Sequence, residues 1–471
     1  MLTLIPVLSI RILSILTILG FVLYSNVVLA QDDFVTWADT LKQEAIESGI
    51  SEATVTATLN HIELLPDVIE MDHSQPEFIS PFLDYYTQRV DARKIARGRE
   101  LLSLYDALLN KIEAQYGVPK ALLVAFWGME TNFGDYQGNI DTLSALATLA
   151  YDGRRVGFFR NQLLDAMRII DSGDARVTEL RGSWAGAFGN MQFMPSTFMA
   201  YAVDADGDNH IDIVNSMSDA FASAANYLSQ AGWHDGELAM IEVYLPHDFK
   251  WKNAQLNLRK PVGDWEKMGV RYIAEVADAD ERGLMPSVIT VKHEITKKSK
   301  SRKHAHSFHK KTSMKNRQAS QLYSSTMVQS ISYTSAIPKN VSVQAAILLP
   351  QGWRGPAFMV FDNFDVVMDW NHSVNYALSV VQLAKRINHE SRIVGGQSAE
   401  AGALTFQQMF ELQDSLNQRG FDSGEPDGFP GLQTQAAVRA YQLSQHLPAD
   451  GYASPSLLNG LLSDLHEQKL E

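Results

Sequence analysis

Cysteine is missing from this 471-residue sequence. Its absence excludes disulfides, thiolate nucleophiles and thiolate metal sites, and it excludes lipid attachment through an N-terminal cysteine. Such a chain has to be held by its hydrophobic core, and this one is long enough for two or more domains. Positive charge is in deficit, because 40 Lys and Arg stand against 54 Asp and Glu for a net charge of −14. That balance argues against a nucleic-acid partner and says little about a polysaccharide partner.

Charged residues are also scarce in the first 30 positions, where Arg11 alone interrupts an apolar run. The run ends in Val28-Leu29-Ala30 before an acidic Gln-Asp-Asp, a pattern typical of a secretory signal with small residues before its cleavage point. The apolar stretch after Arg11 is short for a membrane span, which favours a cleaved signal. The positive residues that usually open a signal are lacking, so an N-terminal anchor in the inner membrane remains the alternative.

Most of the chain has the hydrophobic period of helices. From Phe34 to about Ile112, apolar residues recur at three- and four-residue steps. The pattern predicts a helix that ends at Gly117 and a next helix that begins at Pro119. Helical patterning continues past Gly232. We therefore predict a mainly α fold.

A basic block interrupts this pattern at 297–317, where seven Lys and two Arg occur without an acid. Such a block repels itself and has few apolar anchors, so we predict a disordered insertion at about 293–340. A solvated insertion is the simpler interpretation, and weak contact with an anionic surface is the functional one. His304, His306 and His309 in this block are poor metal candidates, because a flexible tract does not hold ligands in place.

Regular structure is predicted again after the insertion. The runs AAILLP and AFMVFDNF are strand-like, and they precede a helix predicted from about Asn375 to Ile387. Two later helical segments each lead to an Asp-Gly turn. The predicted units are a signal or anchor at 1–30, a main domain at 31–395, a linker at 396–403 and a C-terminal domain at 404–465.

The stretch FWGMETNFG, from Phe126 to Gly134, places one carboxylate between an aromatic run and a glycine turn. On a helix that begins at Pro119, Glu130 lies one turn beyond Phe126 and on the same side. A carboxyl group held against aromatic surface loses hydration, so its pKa is expected to rise, as a general acid near neutral pH requires. A solvated acid at a helix end is the alternative, and this stretch alone does not decide between them.

Four ordered motifs resemble one known family. WGMETNFG, YDGRRVGFFRNQL, GSWAGAFGNMQFMPSTF and DAFASAANYLSQAGW together resemble lytic murein transglycosylase B and its relatives, over roughly 34–292 and again over 341–388. The basic block departs from the family pattern. The resemblance implies a periplasmic enzyme with a lysozyme-like α+β catalytic domain that is mainly helical. It also implies cleavage, without water, of the β-1,4 bond between N-acetylmuramic acid and N-acetylglucosamine in peptidoglycan, which leaves a 1,6-anhydro end.

The implied chemistry accounts for a lone acid. Hydrolases of this bond usually need two carboxylates, whereas here the muramyl 6-hydroxyl closes onto C1. Glu130 then acts first as acid and afterwards as base, and no cofactor is required for the reaction. Two alternatives remain open. One is a muramidase that hydrolyses the same bond, for which Asp135 or Asp141 is a candidate second carboxylate. The other is a non-catalytic scaffold that holds glycan strands or recruits cell-wall synthases.

The resemblance also implies residues that bind the substrate. Ser183 is expected to hydrogen-bond Glu130 or the glycan. Trp370 stands where a relative has tyrosine, so a stacking function is expected to survive the change and a hydroxyl function is not. Ordinary packing is the alternative for each residue. The implied set is Ser183, Gln192, Phe193, Tyr227, Trp370, Asn371 and Tyr376.

The loop DADGDNHID at 204–212 has acids at positions 1, 3, 5 and 9, which suits the oxygen coordination of Ca²⁺. Asn209 replaces the usual turn glycine, although Asn tolerates a left-handed backbone. Position 12 is Asn215, so Asp219 has to close the site, as an acid in a longer loop does in a relative. A solvated acidic turn is the alternative. The candidate ligands of a structural Ca²⁺ are Asp204, Asp206, Asp208, His210, Asp212 and Asp219.

The C-terminal unit resembles a small three-helix peptidoglycan-binding domain. The resemblance rests on LQDSLNQRGFDSGEPDGFPGLQTQAAVRAYQ followed by LPADGYASPSLL. The Gly431-x-x-Thr434 step into a helix is fairly specific to that domain. The expected function of this unit is to raise the concentration of the enzyme on glycan strands.

Overall fold

The computed structural model describes residues 33–73, 80–153, 155–273, 333–334, 342–396 and 403–468. The predicted N-terminal signal, the basic block and most of the linker lie outside these residues, and what was predicted for them stays a prediction. In the described part of the chain, no helix combines the length and the hydropathy that a membrane crossing requires.

Helices make up most of the described structure, which confirms the predicted mainly α class. They are α1 (33–47), α2 (Glu52–Leu59), α3 (Pro66–His73), α4 (Phe82–Arg89), α5 (Ala92–Leu104), α6 (Asp106–Tyr116), α7 (Lys120–Thr131), α8 (Thr142–Tyr151), α9 (Val156–Asp171), α10 (Pro195–Tyr201), α11 (Met217–Gln230), α12 (Val262–Lys267), α13 (Asp362–Asn371), α14 (Val374–Ile387), α15 (Phe406–Gln418), α16 (Leu432–Ser444) and α17 (Pro455–Gln468).

The helical segment predicted to end at Gly117 consists of two helices, α5 and α6, rather than one. Tyr105 separates α5 from α6, and its ring packs edge-on against Trp127 and Phe221 at centroid distances of 5.9 and 5.8 Å. The break lets α5 pack on α7 while α6 packs on α11. Gly117 does end α6, in the left-handed conformation expected of a glycine cap.

Helix α7 lies at the centre of the main helical core. Ten of its twelve residues are buried, as expected for a helix that is hydrophobic on all sides. It packs mainly against α14, which is amphipathic and begins with a Ser373 side-chain cap, and against α5. Glu130, near the end of α7, is one of its few partly exposed residues.

A small antiparallel sheet lies beside the helices. Its strands are β3 (Met240–Tyr244), β4 (Lys260–Pro261), β5 (Arg271–Ile273), β6 (Tyr333–Thr334), β7 (Gln344–Leu348) and β8 (Ala357–Val360), in the order β4-β7-β8-β3-β5-β6. A two-stranded ribbon joins β1 (Ile140–Asp141) to β2 (Arg181–Gly182). The predicted strand AAILLP corresponds to β7. The predicted strand AFMVFDNF contains β8, but its last three residues form the first turn of α13, so that part of the prediction was wrong. Strand β6, which pairs with β5, lies inside the stretch 293–340 that was predicted to be a disordered insertion, so the sheet extends into the end of that stretch.

The C-terminal helices α15 to α17 enclose a separate core that includes Leu412, Leu416 and Val438. Thr405 and Gln408 form a reciprocal capping box that fixes the start of α15. The buried Gln413 amide bonds the Asp427 turn and the Thr434 hydroxyl, so the turn is tied to both long helices. A unit with its own core and satisfied turns can fold as a compact domain.

Candidate active site

The end of α7 presents Glu130 at the surface of a buried helix. Asn132 and Phe133 follow with φ of 52° and 64°, so the chain turns away immediately after the acid. The Phe133 ring folds back onto Gly128, where an added Cβ atom would lie 2.6 Å from the ring. This glycine therefore permits the close return of the chain that leaves Glu130 in the last helical turn.

Two side chains from distant parts of the sequence donate to one oxygen of Glu130. The Trp370 indole N–H lies 2.9 Å from Oε1, and the Tyr376 hydroxyl donates to the same oxygen through a short contact. Trp370 lies in the last turn of α13, and Tyr376 lies in the first turn of α14. His372 between the helices has φ of 55°, which turns the chain so that both donors face Glu130.

Aromatic rings surround this carboxylate. The Trp370 ring lies 4.3 Å from Phe126, 5.6 Å from Phe193 and 5.1 Å from Tyr227, measured between centroids. Burial raises the pKa of Tyr376 well above its ordinary value, and the neighbouring Glu130 carboxylate raises it further. Burial also raises the pKa of Tyr227 to about 12. Both phenols therefore remain protonated at neutral pH.

The glycine-rich loop of Ser183 and Gln192 forms a wall beside the aromatic cluster. The Ser183 hydroxyl accepts a hydrogen bond from the Ala187 amide at 3.1 Å. Gln192 has φ of 49°, and its amide donates to the carbonyls of Gln137 and Gly189 at 2.9 and 3.0 Å. The structure thus shows these two polar side chains holding the loop, and their predicted contact with substrate stays a prediction.

Asn190 is a positioning residue that was not predicted from the sequence. It is buried, its Oδ1 accepts from the Trp127 indole at 2.9 Å, and its Nδ2 donates to the Val214 carbonyl at 2.8 Å. The Thr131 hydroxyl in turn donates to the Asn190 carbonyl. One amide thereby joins α7, the glycine-rich loop and the acidic loop. An asparagine among the apolar residues of GNMQF is the sequence feature that would have indicated a buried, hydrogen-bonded side chain.

Three other predicted residues lie apart from this arrangement. Asn371 ends α13 and is exposed. Asp141 caps α8 through the Ser144 amide and lies 2.8 Å from the His61 imidazole. Asp135 accepts from the Asn132 side chain at an exposed position. Structural contacts thus account for both candidates for a second carboxylate.

The acidic loop brings three of its six candidate ligands together. Carboxylate oxygens of Asp204, Asp206 and Asp219 lie within 4.8 Å of one another. Asp219 is 1% exposed, and burial raises its pKa. It accepts from the amides of Ala205 and Asp212, which closes the loop.

Of the remaining three candidate ligands, two accept hydrogen bonds from backbone amides of the loop and one is exposed. Asp208 accepts from the His210 amide, and Asp212 accepts from the amides of Val214 and Asn215. The His210 side chain is exposed. Asn209 adopts φ of 69°, the left-handed conformation that this position was expected to need.

Comparison with protein families matches nearly the whole described chain. Residues 33–295 and 287–385 match the family described as transglycosylase SLT domain, and residues 407–461 match the peptidoglycan binding domain family. The chain is also 32% identical over 199 residues to membrane-bound lytic murein transglycosylase B of Escherichia coli strain K12. That alignment spans 40% of this chain and 55% of the relative.

Solved structures with the same fold include SltB3 from Pseudomonas aeruginosa in complex with NAG-anhNAM-pentapeptide. It is 36% identical, the match covers 91% of this chain and 99% of that chain, and the TM-score is 0.75. The Escherichia coli lytic transglycosylase Slt35 in complex with calcium is 23% identical over 74% of this chain and 92% of that chain. Its TM-score of 0.54 shows a shared fold. The chain therefore belongs to the transglycosylase SLT family of lytic transglycosylases that act on peptidoglycan, and it carries a C-terminal peptidoglycan-binding domain.

Proposed function

We propose that this chain cleaves the β-1,4 bond between N-acetylmuramic acid and N-acetylglucosamine in peptidoglycan and leaves a 1,6-anhydromuramyl end. The observation that carries the proposal is Glu130, a single carboxyl group whose Oε1 accepts from both Trp370 and Tyr376 within an aromatic cluster. One relative, SltB3, was solved with both NAG-anhNAM-pentapeptide and NAG-NAM-pentapeptide, which supports the substrate class.

The two donors assign different functions to the two oxygens of Glu130. An indole N–H donates and cannot accept, so the proton of the acid form is carried on Oε2 rather than on Oε1. That proton passes to the glycosidic oxygen as the bond from C1 breaks, and the N-acetylglucosamine product leaves with a 4-hydroxyl. The resulting carboxylate accepts the proton of the muramyl 6-hydroxyl as O6 bonds to C1. Glu130 ends protonated, and no water is consumed.

The surrounding residues bind the glycan and exclude water. Tyr227 and Trp370 are partly exposed and offer ring faces for the sugar, and the buried Phe193 supports both rings from behind. Ser183 and Gln192 supply polar contacts from the glycine-rich loop. Asn371 contributes an exposed amide at the end of α13. A low-dielectric aromatic wall strengthens the proton transfers made by Glu130.

Mass spectrometry of muropeptides released from purified peptidoglycan tests this proposal. The wild-type protein is expected to release products one water lighter than reducing-end muropeptides, and Glu130→Gln is expected to release none. Reducing ends that disappear with Glu130→Gln would support a muramidase instead. If the wild-type protein releases nothing yet still sediments with the wall, the non-catalytic scaffold is the correct reading.

The acidic loop is proposed as a structural Ca²⁺ site. Asp204, Asp206 and Asp219 fit the ion because all three offer carboxylate oxygens. Burial and the two neighbouring carboxylates raise the pKa of Asp219, and a bound cation would offset that effect. The calcium complex of Slt35 supports this assignment. A bound ion would neutralise the loop that Asn190 ties to α7, so its effect on Glu130 is through loop position.

Export to the periplasm is the proposed location. The signal-like segment at 1–30 and a wall-polymer substrate support it. The C-terminal domain is proposed to hold the enzyme on glycan strands, and its match to the peptidoglycan binding family supports that function.

A further inference from the structure

We propose that Trp353 and Arg354, beside Trp251, form a second glycan-binding site at the junction between the sheet and the C-terminal domain. The site would take a sugar of the same peptidoglycan strand together with a carboxylate of its peptide. This inference rests on the proposed peptidoglycan substrate and extends it beyond the cleft of Glu130.

The first observation is that the exposed side chain of Trp353 lies next to Trp251 and Arg354. Trp353 is 41% exposed and lies in the loop between β7 and β8. Its ring is 5.8 Å from Trp251 at an interplanar angle of 50°, and the Arg354 guanidinium lies 4.7 Å from the ring centroid. Indole surface packs against the apolar C–H face of a sugar ring, and a guanidinium binds carboxylates.

The second observation is that the backbone of Trp353 is fixed. Its amide donates to the Asp450 carboxylate of the C-terminal domain at 2.8 Å. Gly352 has φ of 73°, and a Cβ atom there would lie 2.8 Å from Asp450 Oδ2 and 3.1 Å from Tyr452. Docking between the two domains therefore uses the backbone of this loop and leaves much of the indole exposed. A fixed aromatic group loses little conformational entropy when a ligand binds.

The third observation connects this surface to the cleft. Gln351, next to Gly352, accepts from the Leu83 amide of α4 at 2.9 Å. Helix α4 also packs on α14, which carries Tyr376. One helix therefore lies between the two sites, which sets their separation on the order of 10 Å or more. In this proposal a strand of several disaccharides bound at Glu130 extends to Trp353, and a single disaccharide bound at Glu130 does not.

Binding measured by calorimetry, in full-length protein that carries Glu130→Gln to prevent cleavage, tests the inference. The probes are peptide-bearing peptidoglycan fragments of one disaccharide and of six disaccharides. Trp353→Ala is expected to weaken binding of the long fragment about tenfold and to leave the short one unchanged. Trp353→Tyr is expected to restore most of the affinity. Phe158→Ala, which removes another aromatic residue that is 48% exposed, is the matched control and is expected to have no effect.

Arg354→Gln tests binding of the peptide carboxylate separately, because the hydrogen bond to Asp450 is donated by the backbone amide of Trp353. It is expected to weaken binding of the six-disaccharide fragment with peptides and to leave a peptide-free strand of equal length unchanged. Equal losses for both strands, or no loss with either variant, would overturn the inference. If no fragment binds at all, the proposed substrate itself is wrong.

Discussion

The carboxyl group of Glu242 is buried, and its titration should change the free energy of unfolding with pH. It lies in β3, and it accepts from the Val394 amide at 3.0 Å and from the Gly395 amide at 2.6 Å. Burial raises the pKa of Glu242 to about 7, against the opposing effects of these two amides and of Lys385. The carboxylate thus holds the segment that leads into the linker.

The sign of the effect follows from the raised pKa. The folded protein binds the Glu242 proton more tightly than the unfolded chain does, so this group stabilises the fold most below about pH 4.5. That stabilisation is lost as the pH rises through about 7. The difference between about 7 and the ordinary value of 4.5 corresponds to about 3.4 kcal/mol. Because the residue is only partly buried, solvent screening makes this an upper limit, and we expect about 2–3 kcal/mol.

Glu242→Gln removes this titration while it keeps an oxygen for the amides. Urea unfolding of the full chain at pH 5, 6, 7 and 8 measures the unfolding free energy of the main domain. The loss of stability between pH 5 and pH 8 should be smaller in the variant than in the wild type by about 1–2 kcal/mol, because part of the effect of Glu242 lies below pH 5. Glu52→Gln, at a side chain that is 74% exposed, is the control and should leave the pH dependence unchanged. If Glu242→Gln follows the wild-type pH dependence, Glu242 does not titrate in this range and the reasoning fails.

Three further predictions concern the catalytic region. Tyr376→Phe removes one donor to the proposed acid and should lower kcat about tenfold to a hundredfold with little change in KM, as measured by release of muropeptides; a hydrogen bond to a charged group is worth about 1.5–3 kcal/mol. Asp219→Asn should abolish the rise in melting temperature that Ca²⁺ gives the wild type over a chelator, and an equal rise in both proteins would remove Asp219 from the site. Gly128→Ala should lower the free energy of unfolding by about 1–3 kcal/mol in urea, because the added Cβ atom would collide with the Phe133 ring. Gly157→Ala is the control and should not destabilise the fold, because nothing lies within 4 Å of its Cβ position.

The sequence predicted the elements with strong local signals. Helix α14 and the strands β7 and β8 lie where hydrophobic period and β-branched or aromatic runs placed them. The sequence did not predict β3 and β5, which complete the sheet on the other side of β8. These strands are short, and their pairing partners lie up to 120 residues away (Met240 opposite Val360), so no local pattern encodes them. The break at Tyr105 was missed for a similar reason, since its cause is packing against Trp127.

The candidate site was predictable as a set of residues but not as a geometry. Glu130 was identified from its place behind an aromatic run, and Trp370 and Tyr376 from the family resemblance. The separation of 240 residues between Trp370 and Glu130 gives no spacing from which their contact follows. Replacement of a tyrosine by Trp370 was expected to cost a hydroxyl function. The structure shows that the indole N–H supplies a donor to the acid, so the change retains donation and loses only acceptance.

The chemistry of the two donors bears on whether one carboxylate is enough. Tyr376 has a raised pKa, and an indole N–H is not a base, so neither group that holds Oε1 can accept a proton from water or from a sugar hydroxyl at neutral pH. Hydrolysis of a glycosidic bond, whether it inverts or retains the configuration at C1, usually requires a second carboxylate as base or nucleophile. Asp141 is held by the α8 cap and by His61, and Asp135 is exposed beside Asn132. A reaction in which Glu130 itself becomes the base, and the substrate supplies the nucleophile, needs nothing that this arrangement lacks. We therefore expect anhydro ends rather than reducing ends.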